Sequence, residues 1–188
     1  MKVLAIVGSA RRGGNTEILT RHTLGAIAAE GIDTELVPLS GLEIGHCTGC
    51  LACQETGTCI IEDDLMSVYE KMKAADGIIL STPVYFGAAS SLIKALMDRT
   101  GYLARHEDNA FKGKAGGPLV VGRRAGMNFT FAQMNFWFQI LGFFMTGAQY
   151  WNVAFGRNAG EVESDAEGLA TAEDFARNLA FMLRKLRA

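Results

Sequence analysis

Val3-Leu4-Ala5-Ile6-Val7-Gly8-Ser9-Ala10-Arg11-Arg12-Gly13-Gly14-Asn15-Thr16 decides the fold. Val3 to Val7 is an uninterrupted apolar run, the pattern of a strand buried on both faces. A glycine-rich turn follows at once. Glu17 to Ala29 then has helical spacing, with Ile18, Leu19, Leu24 and Ile27 as candidate buried positions and Gly31 beyond its end. A buried strand, a glycine loop and a helix form the opening of a β–α unit. Working outward, the same alternation repeats. Thr34 to Leu39 reads as a second strand, and residues 40 to 60 as a loop. Asp63 or Asp64 can cap a helix reaching about Ala75. Ile78-Ile79-Leu80 begins a third strand that closes in Ser81 to Gly87, and Ala88 to about Leu103 is helical. Pro118 to Val121 is a fourth strand, Phe129 to about Leu141 a helix, Gln149 to Phe155 a fifth strand, and Thr171 to Arg187 a closing amphipathic helix. Strands alternating with helices imply parallel strands joined by crossovers, so a doubly wound five-stranded α/β sheet of order 2-1-3-4-5 is expected, with helices on both faces. Residues 1–188 suit one domain, with a cysteine-rich loop at 45–60.

The net charge of -2 argues against a nucleic-acid surface. The first residues enter the strand pattern directly and have no signal-peptide form, so a cytoplasmic location is expected. Ala125 to Gly156 has no charged residue, but Asn128, Gln133, Asn135, Gln139, Gly142, Gly147, Gln149 and Asn152 interrupt it. A membrane span needs about 20 mostly apolar residues in a row, so no span is expected.

Ligands of such sheets bind beyond the carboxyl ends of the strands. That rule selects three loops. In Gly8 to Thr16, glycines let N–H groups face inward, Ser9, Asn15 and Thr16 add side-chain hydrogen bonds, Gly14 precedes the helix, and the helix presents its positive end. Arg11 or Arg12 can neutralise a dianion. The loop therefore reads as a cradle for a phosphate monoester. It lacks the lysine of a P-loop, and Ala10 breaks G-x-G-x-x-G. The plainer reading is an ordinary glycine turn with Thr16 as helix cap. In Thr82-Pro83-Val84-Tyr85-Phe86-Gly87, a stiff proline, two aromatics and a glycine suit a planar ring, unless the aromatics simply fill the core. Gly122-Arg123-Arg124-Ala125-Gly126 adds cations near the same edge, or solvated surface arginines. These loops are expected to sit together, beside the cysteine loop.

All four cysteines fall in Cys47-Thr48-Gly49-Cys50-Leu51-Ala52-Cys53-Gln54-Glu55-Thr56-Gly57-Thr58-Cys59, a C-x2-C-x2-C-x5-C run. Thiolates suit zinc and iron–sulfur clusters. Zinc sites tend to pair two C-x2-C knuckles across a longer spacer. Three cysteines within seven residues are closer to the run that wraps a [4Fe–4S] cube, although a ferredoxin run has a shorter last gap and then proline, where this chain has Ile60. Zinc and bare redox-active thiols stay open, and His46 adjoins Cys47 as a possible substitute ligand.

Gly8-Ser9-x-Arg11…Asn15-Thr16 after strand one, with Thr82-Pro83-Val84-Tyr85-Phe86-Gly87 after strand three, resembles the NAD(P)H-dependent FMN reductase group of flavodoxin-like proteins. With the cysteine run between them, the chain resembles the iron–sulfur flavoprotein family over roughly residues 1 to 125. The resemblance implies FMN at the sheet edge, a [4Fe–4S] cluster on Cys47, Cys50, Cys53 and Cys59, and a dimer or tetramer. It implies phosphate contacts from Ser9, Arg11, Asn15 and Thr16, with Gly14 beside them, and flavin-ring contacts from Pro83, Val84, Tyr85, Phe86 and Gly87. Relatives often have a run of glycines after strand four. Here Gly122 is followed by Arg123-Arg124-Ala125, which changes the contacts expected of Gly122 and Arg123.

Between Phe129 and Phe155 lie ten of the chain's seventeen aromatic residues. Phe136-Trp137-Phe138 cannot all face one side of a helix, so a homo-oligomer through 129–155 is expected, with a packed insertion as the alternative. The chemistry would belong to the cofactors, and no side chain is required as acid or base. Three functions fit. The first passes electrons between a donor, ferredoxin or NAD(P)H, and an acceptor through FMN and a cluster. The second is a cluster-free NAD(P)H-dependent FMN or quinone reductase. The third is a flavin redox sensor without turnover.

Overall fold

The computed structural model describes residues 1–187. Its central strands are β1 (Lys2–Val7), β2 (Asp33–Pro38), β3 (Gly77–Tyr85) and β5 (Ala115–Gly122), all parallel, in the order β2-β1-β3-β5. Side chains alternate across this sheet with the period of two that a strand imposes. Val3, Ala5, Ile79, Leu119 and Val121 face one side, and Leu4, Ile6, Ile78, Leu80 and Val120 the other. The first face is covered by α1 (Asn15–Ala29) and α6 (Ala166–Arg187). The second is covered by α3 (Leu65–Ala74), α4 (Ser91–His106) and α5 (Met127–Ile140). Both faces of β1 are therefore dry, and Val3 to Val7 are at most 1% exposed. Each fully buried aliphatic side chain in such a core contributes about 1.5–3 kcal/mol. The flavodoxin-like fold expected from the sequence is the fold found.

The fifth strand differs from expectation. Gln149 to Phe155 is not one strand. Its place beside β5 is shared by β6 (Phe144–Met145), paired at Ala115 and Gly116, and β7 (Val153–Phe155), paired at Val120 to Gly122. Pro118 lies in the gap. It has no N–H to offer a neighbouring strand, and the Asn152 side-chain amide donates to its carbonyl instead, at 3.2 Å.

The third strand also runs on further than its loop-like sequence suggests. β3 extends through Tyr85 and turns back as β4 (Ala88–Ala89), antiparallel to it. Phe86 and Gly87 form the two-residue turn, with φ of 50° and 78°, the geometry of a type I′ hairpin. Helix α4 accordingly starts at Ser91 and not at Ala88. Its cap is Ser90, whose hydroxyl accepts from the Ile93 N–H and donates to Gly8 O at 2.5 Å. Gly8 is required here, because a Cβ would lie 2.5 Å from the Ile93 Cβ. The strand end, the glycine turn and the start of α4 are thus locked together. Within the 40–60 loop a single turn, α2 (Cys53–Thr56), is helical.

Candidate functional site

A cleft of about 360 Å³ opens at the carboxyl ends of β1, β3 and β5. It is lined by Ser9, Arg11, Arg12, Gly14, Asn15, Thr16, Pro83, Val84, Tyr85, Val121, Arg123, Gly156, Arg157 and Ala159. Asn15 and Tyr85, far apart in sequence, therefore meet in one cavity of the size that small-molecule ligands occupy.

The cradle is built locally. Ser9 Oγ accepts from the Arg11 N–H at 3.1 Å, which curls the chain. The Gly13 N–H donates to Glu17 Oε2 at 2.9 Å, so an acid of the first helical turn holds the loop from below. That bond keeps the Glu17 carboxyl below the usual carboxylate range, helped by the Arg21 guanidinium at 2.7 Å. Gly14 is the N-cap of α1 in extended conformation, and no side chain caps the helix. The first-turn N–H groups have no intrahelical acceptors, so they and the helix dipole form an anion site. Arg11, Arg12, Arg123 and Arg157 surround it, and among the described residues no carboxylate lines the cleft. Arg12 is partly committed, donating to Ser40 O at 3.2 Å.

Asn15 lines the cleft and also fastens a second segment. Its Nδ2 donates to Asn158 O at 2.7 Å, and its Oδ1 accepts from the Val162 N–H at 3.4 Å. The buried amide fastens the 156–162 segment over the cradle. Gly156 must be small, since a Cβ there would meet Asn15 Nδ2 at 2.5 Å. Three expected cofactor contacts lie outside the cleft lining. Phe86 stands wholly in solvent at the hairpin tip, and Gly87 completes that turn. Gly122 lies under Met127, whose Sδ leaves no room for a side chain, and its carbonyl accepts from the Gly156 N–H. Conversely, Gly156, Arg157 and Ala159 were not anticipated. They follow the fifth strand, so the rule that ligands bind at strand ends reaches them once that strand is recognised.

Cys47, Cys50, Cys53 and Cys59 line a second pocket, with Leu51, Ile60, Ile61, Arg99, Tyr102 and Leu103 among its walls. Hydrogen bonds from the Ala52 N–H and Thr48 hold the Cys50 thiol below its ordinary range, and burial pushes the Cys53 thiol up. His46 is exposed and does not line this pocket. Among the described residues, no three His, Cys, Asp or Glu groups are gathered tightly enough to hold one metal ion. Four thiolates can hold a single zinc, at about 2.3 Å from each sulfur. A four-iron cube binds each thiolate at a separate corner and spreads them wider. The donor set fits the cube: four thiols, apolar walls and one cation. The recess among these walls holds about 30 Å³ and opens to solvent at the exposed Cys50, so a cube requires the turn to widen. Gly49 and Leu51 in that turn both have positive φ, 69° and 61°, and Leu51 is strained there.

The cysteine loop starts beside the cleft, where Arg12 donates to Ser40 O. The loop leaves the sheet edge at Ser40, but its thiols lie against the second half of α4. Arg99 is eight residues into that helix, about 12 Å from its start at 1.5 Å per residue. The two cavities share no lining residue. Arg99 itself was missed. It sits on the stripe of α4 that buries Leu96, Thr100 and Leu103 and is 2% exposed, and a cation on an apolar stripe is the signal that could have revealed it.

A family model described as NADPH-dependent FMN reductase matches residues 1–158. The chain is 39% identical to an iron–sulfur flavoprotein of Methanocaldococcus jannaschii, with all of both chains covered. It is 36% identical to the iron–sulfur flavoprotein of Methanosarcina thermophila, over all of this chain and 97% of that one. Among solved structures, a flavodoxin from the domain Archaea superposes with a TM-score of 0.66 at 12% identity, over 98% of this chain and 99% of the other. That last likeness concerns the fold alone.

Proposed function

The chain belongs to the NADPH-dependent FMN reductase family, and we propose that it is an iron–sulfur flavoprotein: an oxidoreductase that binds FMN in the cleft and a [4Fe–4S] cluster on Cys47, Cys50, Cys53 and Cys59. The observation that carries the reading is the meeting of the α1 N-terminus, Tyr85 and the arginines in one cavity. When bound, FMN exchanges electrons in pairs or singly and the cluster exchanges them singly, which couples a two-electron donor to one-electron carriers.

The chain's own residues do the rest. Ser9, Gly14, Thr16 and the first turn of α1 hold the phosphate monoester, and Arg11 and Arg12 balance its charge. Pro83, Val84 and Tyr85 flank the ring, and Arg123 and Arg157 keep the rim positive, which favours anionic donors such as NAD(P)H. Ferredoxin is the alternative donor. Asn15 holds the 156–162 segment closed. The four free thiols suit a reducing compartment such as the cytoplasm, and among the described residues no helix is long and apolar enough to cross a membrane.

We also propose a homo-oligomer. Helix α5 buries Met127, Met134 and Phe138, yet Phe129, Ala132, Phe136 and Ile140 form an apolar stripe on its exposed side. Phe144, Met145, Tyr150 and Trp151 are also exposed. A patch of this kind on a soluble chain is ordinarily covered. Light scattering should give a dimer or tetramer, and a strict monomer at micromolar concentration overturns this.

Anaerobic purification with an absorption spectrum and iron, sulfide and zinc analysis tests the whole reading. Flavin bands with about four iron atoms per chain are expected. Flavin bands without iron support instead a cluster-free FMN or quinone reductase.

A further inference from the structure

We propose that Arg99 and Asp63 form a clamp that shapes the cysteine pocket before any metal enters and fixes a positive charge against the Cys59 sulfur. Arg99 is then a positioning residue for the cluster site. The clamp half of this stands on the protein alone, and the charge half rests on the four-iron reading above.

Arg99 and Asp63 are an ion pair whose side chains are only 1% and 8% exposed. Together they tie down both ends of the 45–63 loop. Asp63 Oδ2 accepts from the Gly45 N–H at 2.8 Å, and Oδ1 from the Leu65 N–H at 3.0 Å. Arg99 Nη1 donates to Gly45 O at 3.1 Å, and Nη2 to Ile61 O at 3.4 Å and to Cys59 Sγ at 3.1 Å. Gly45 is thus held through its N–H by the acid and through its carbonyl by the base. A guanidinium spreads its donors over a rigid planar fork, whereas an ammonium has three on one atom, so only the guanidinium reaches all these acceptors together.

Stability alone does not account for this arrangement. A buried ion pair usually gives no more stability than apolar residues of the same volume, and α4 supplies an apolar stripe in which Leu or Met would pack. What the pair adds is definition: a loop with one helical turn acquires fixed ends. Among the described residues the buried Arg99 Nε–H has no acceptor, a costly state for a donor. It belongs to a side chain that lines the pocket. Hydrogen bonds and net charge at cluster sulfurs set the reduction potential. A cation at Cys59 stabilises the more negative, reduced state and raises that potential.

The test uses the full-length flavin-loaded protein, with Arg99→Gln and Arg99→Lys. Without metal, backbone N–H groups of residues 45–63 should exchange with solvent about tenfold faster in Arg99→Gln than in wild type, with residues 9–16 unchanged. After reconstitution with iron and sulfide, Arg99→Gln should show a lower cluster potential. Arg99→Lys should keep most of the potential but lose protection at Gly45 and Leu65, whose N–H groups Asp63 holds, because it cannot bond all its partners together. If Arg99→Gln fails to fold, as shown by failure to bind FMN, the Lys variant carries the exchange test alone. Equal exchange in Arg99→Lys and wild type overturns the clamp. Equal potentials in Arg99→Gln and wild type overturn the charge role. Wild-type protein that takes up no iron overturns the four-iron reading and with it the charge role, while the exchange result on metal-free protein still decides the clamp.

Discussion

The cleft and the cysteine pocket are held in opposite ways. The cleft is made from the ends of regular elements: three strand ends, the first turn of a fifteen-residue helix and a hairpin, with a core beneath them that is almost fully buried. The pocket is made from a loop in which none of Cys47 to Cys59 is fully buried, and one buried ion pair fastens it. A site on rigid elements tolerates the loss of one contact, whereas a site hung on a loop depends on its few fasteners. The difference suits the ligands proposed. A flavin needs a preformed slot, whereas a metal centre adds its own bonds to complete a flexible site.

The largest effect should come from Cys53→Ser. It is expected to abolish the visible and paramagnetic signals of a cluster completely while leaving flavin bound, as absorption and electron paramagnetic resonance will report. Loss of flavin in the same variant would break the contrast, because the two sites would then not be independent. Arg11→Ala should weaken FMN binding by about 2 kcal/mol, roughly 30-fold, through loss of one charged partner, with iron content unchanged. Titration by flavin fluorescence quenching measures it. Asn15→Ala should cost about 1 kcal/mol in stability and roughly fivefold in FMN affinity by freeing the 156–162 segment. Urea unfolding and the same titration separate the two effects.

The smallest effect is one of pH, and both regions should show it. Hydrogen bonds from Gly13 and Arg21 lower Glu17. Burial pushes Asp63 up, but bonds from Arg99 and the Gly45 and Leu65 N–H groups outweigh it and leave the carboxyl low. A carboxylate lowered by folding adds stability above its ordinary value, 4.5 for Glu17 and 3.8 for Asp63, and loses it as pH falls through the lowered value. Between pH 7 and 5 neither region should change. Below about pH 4, pepsin nicking within 45–63 and release of flavin are both expected. Glu17→Gln should move only the second, and Asp63→Asn only the first.

What the sequence reveals follows the range of the contacts involved. β1, its glycine turn and α1 are legible because their apolar run, turn residues and helix start lie within thirty consecutive positions. The thiols are legible for the same reason. Arg99 and Asp63 lie thirty-six residues apart, and neither side chain is unusual until α4 brings them together. Arg157 and the second role of Asn15 depend on a contact across 143 positions. The Phe86-Gly87 turn went unseen because glycine or asparagine normally occupies the first position of such a turn, and phenylalanine there carries backbone strain. The fifth strand is shorter than its sequence pattern, because nothing in residues 149–152 announces a proline on the neighbouring strand.

That broken fifth strand has a consequence for how copies of this chain can meet. An outer strand with a continuous row of free N–H and C=O groups invites another chain to extend the sheet, the usual route to fibrous aggregates. Here the rim is two fragments of two and three residues, and an asparagine amide occupies the place where the ladder would continue. The neighbouring aromatics can therefore attract a second molecule through their rings, while the backbone beside them gives a growing fibril no template.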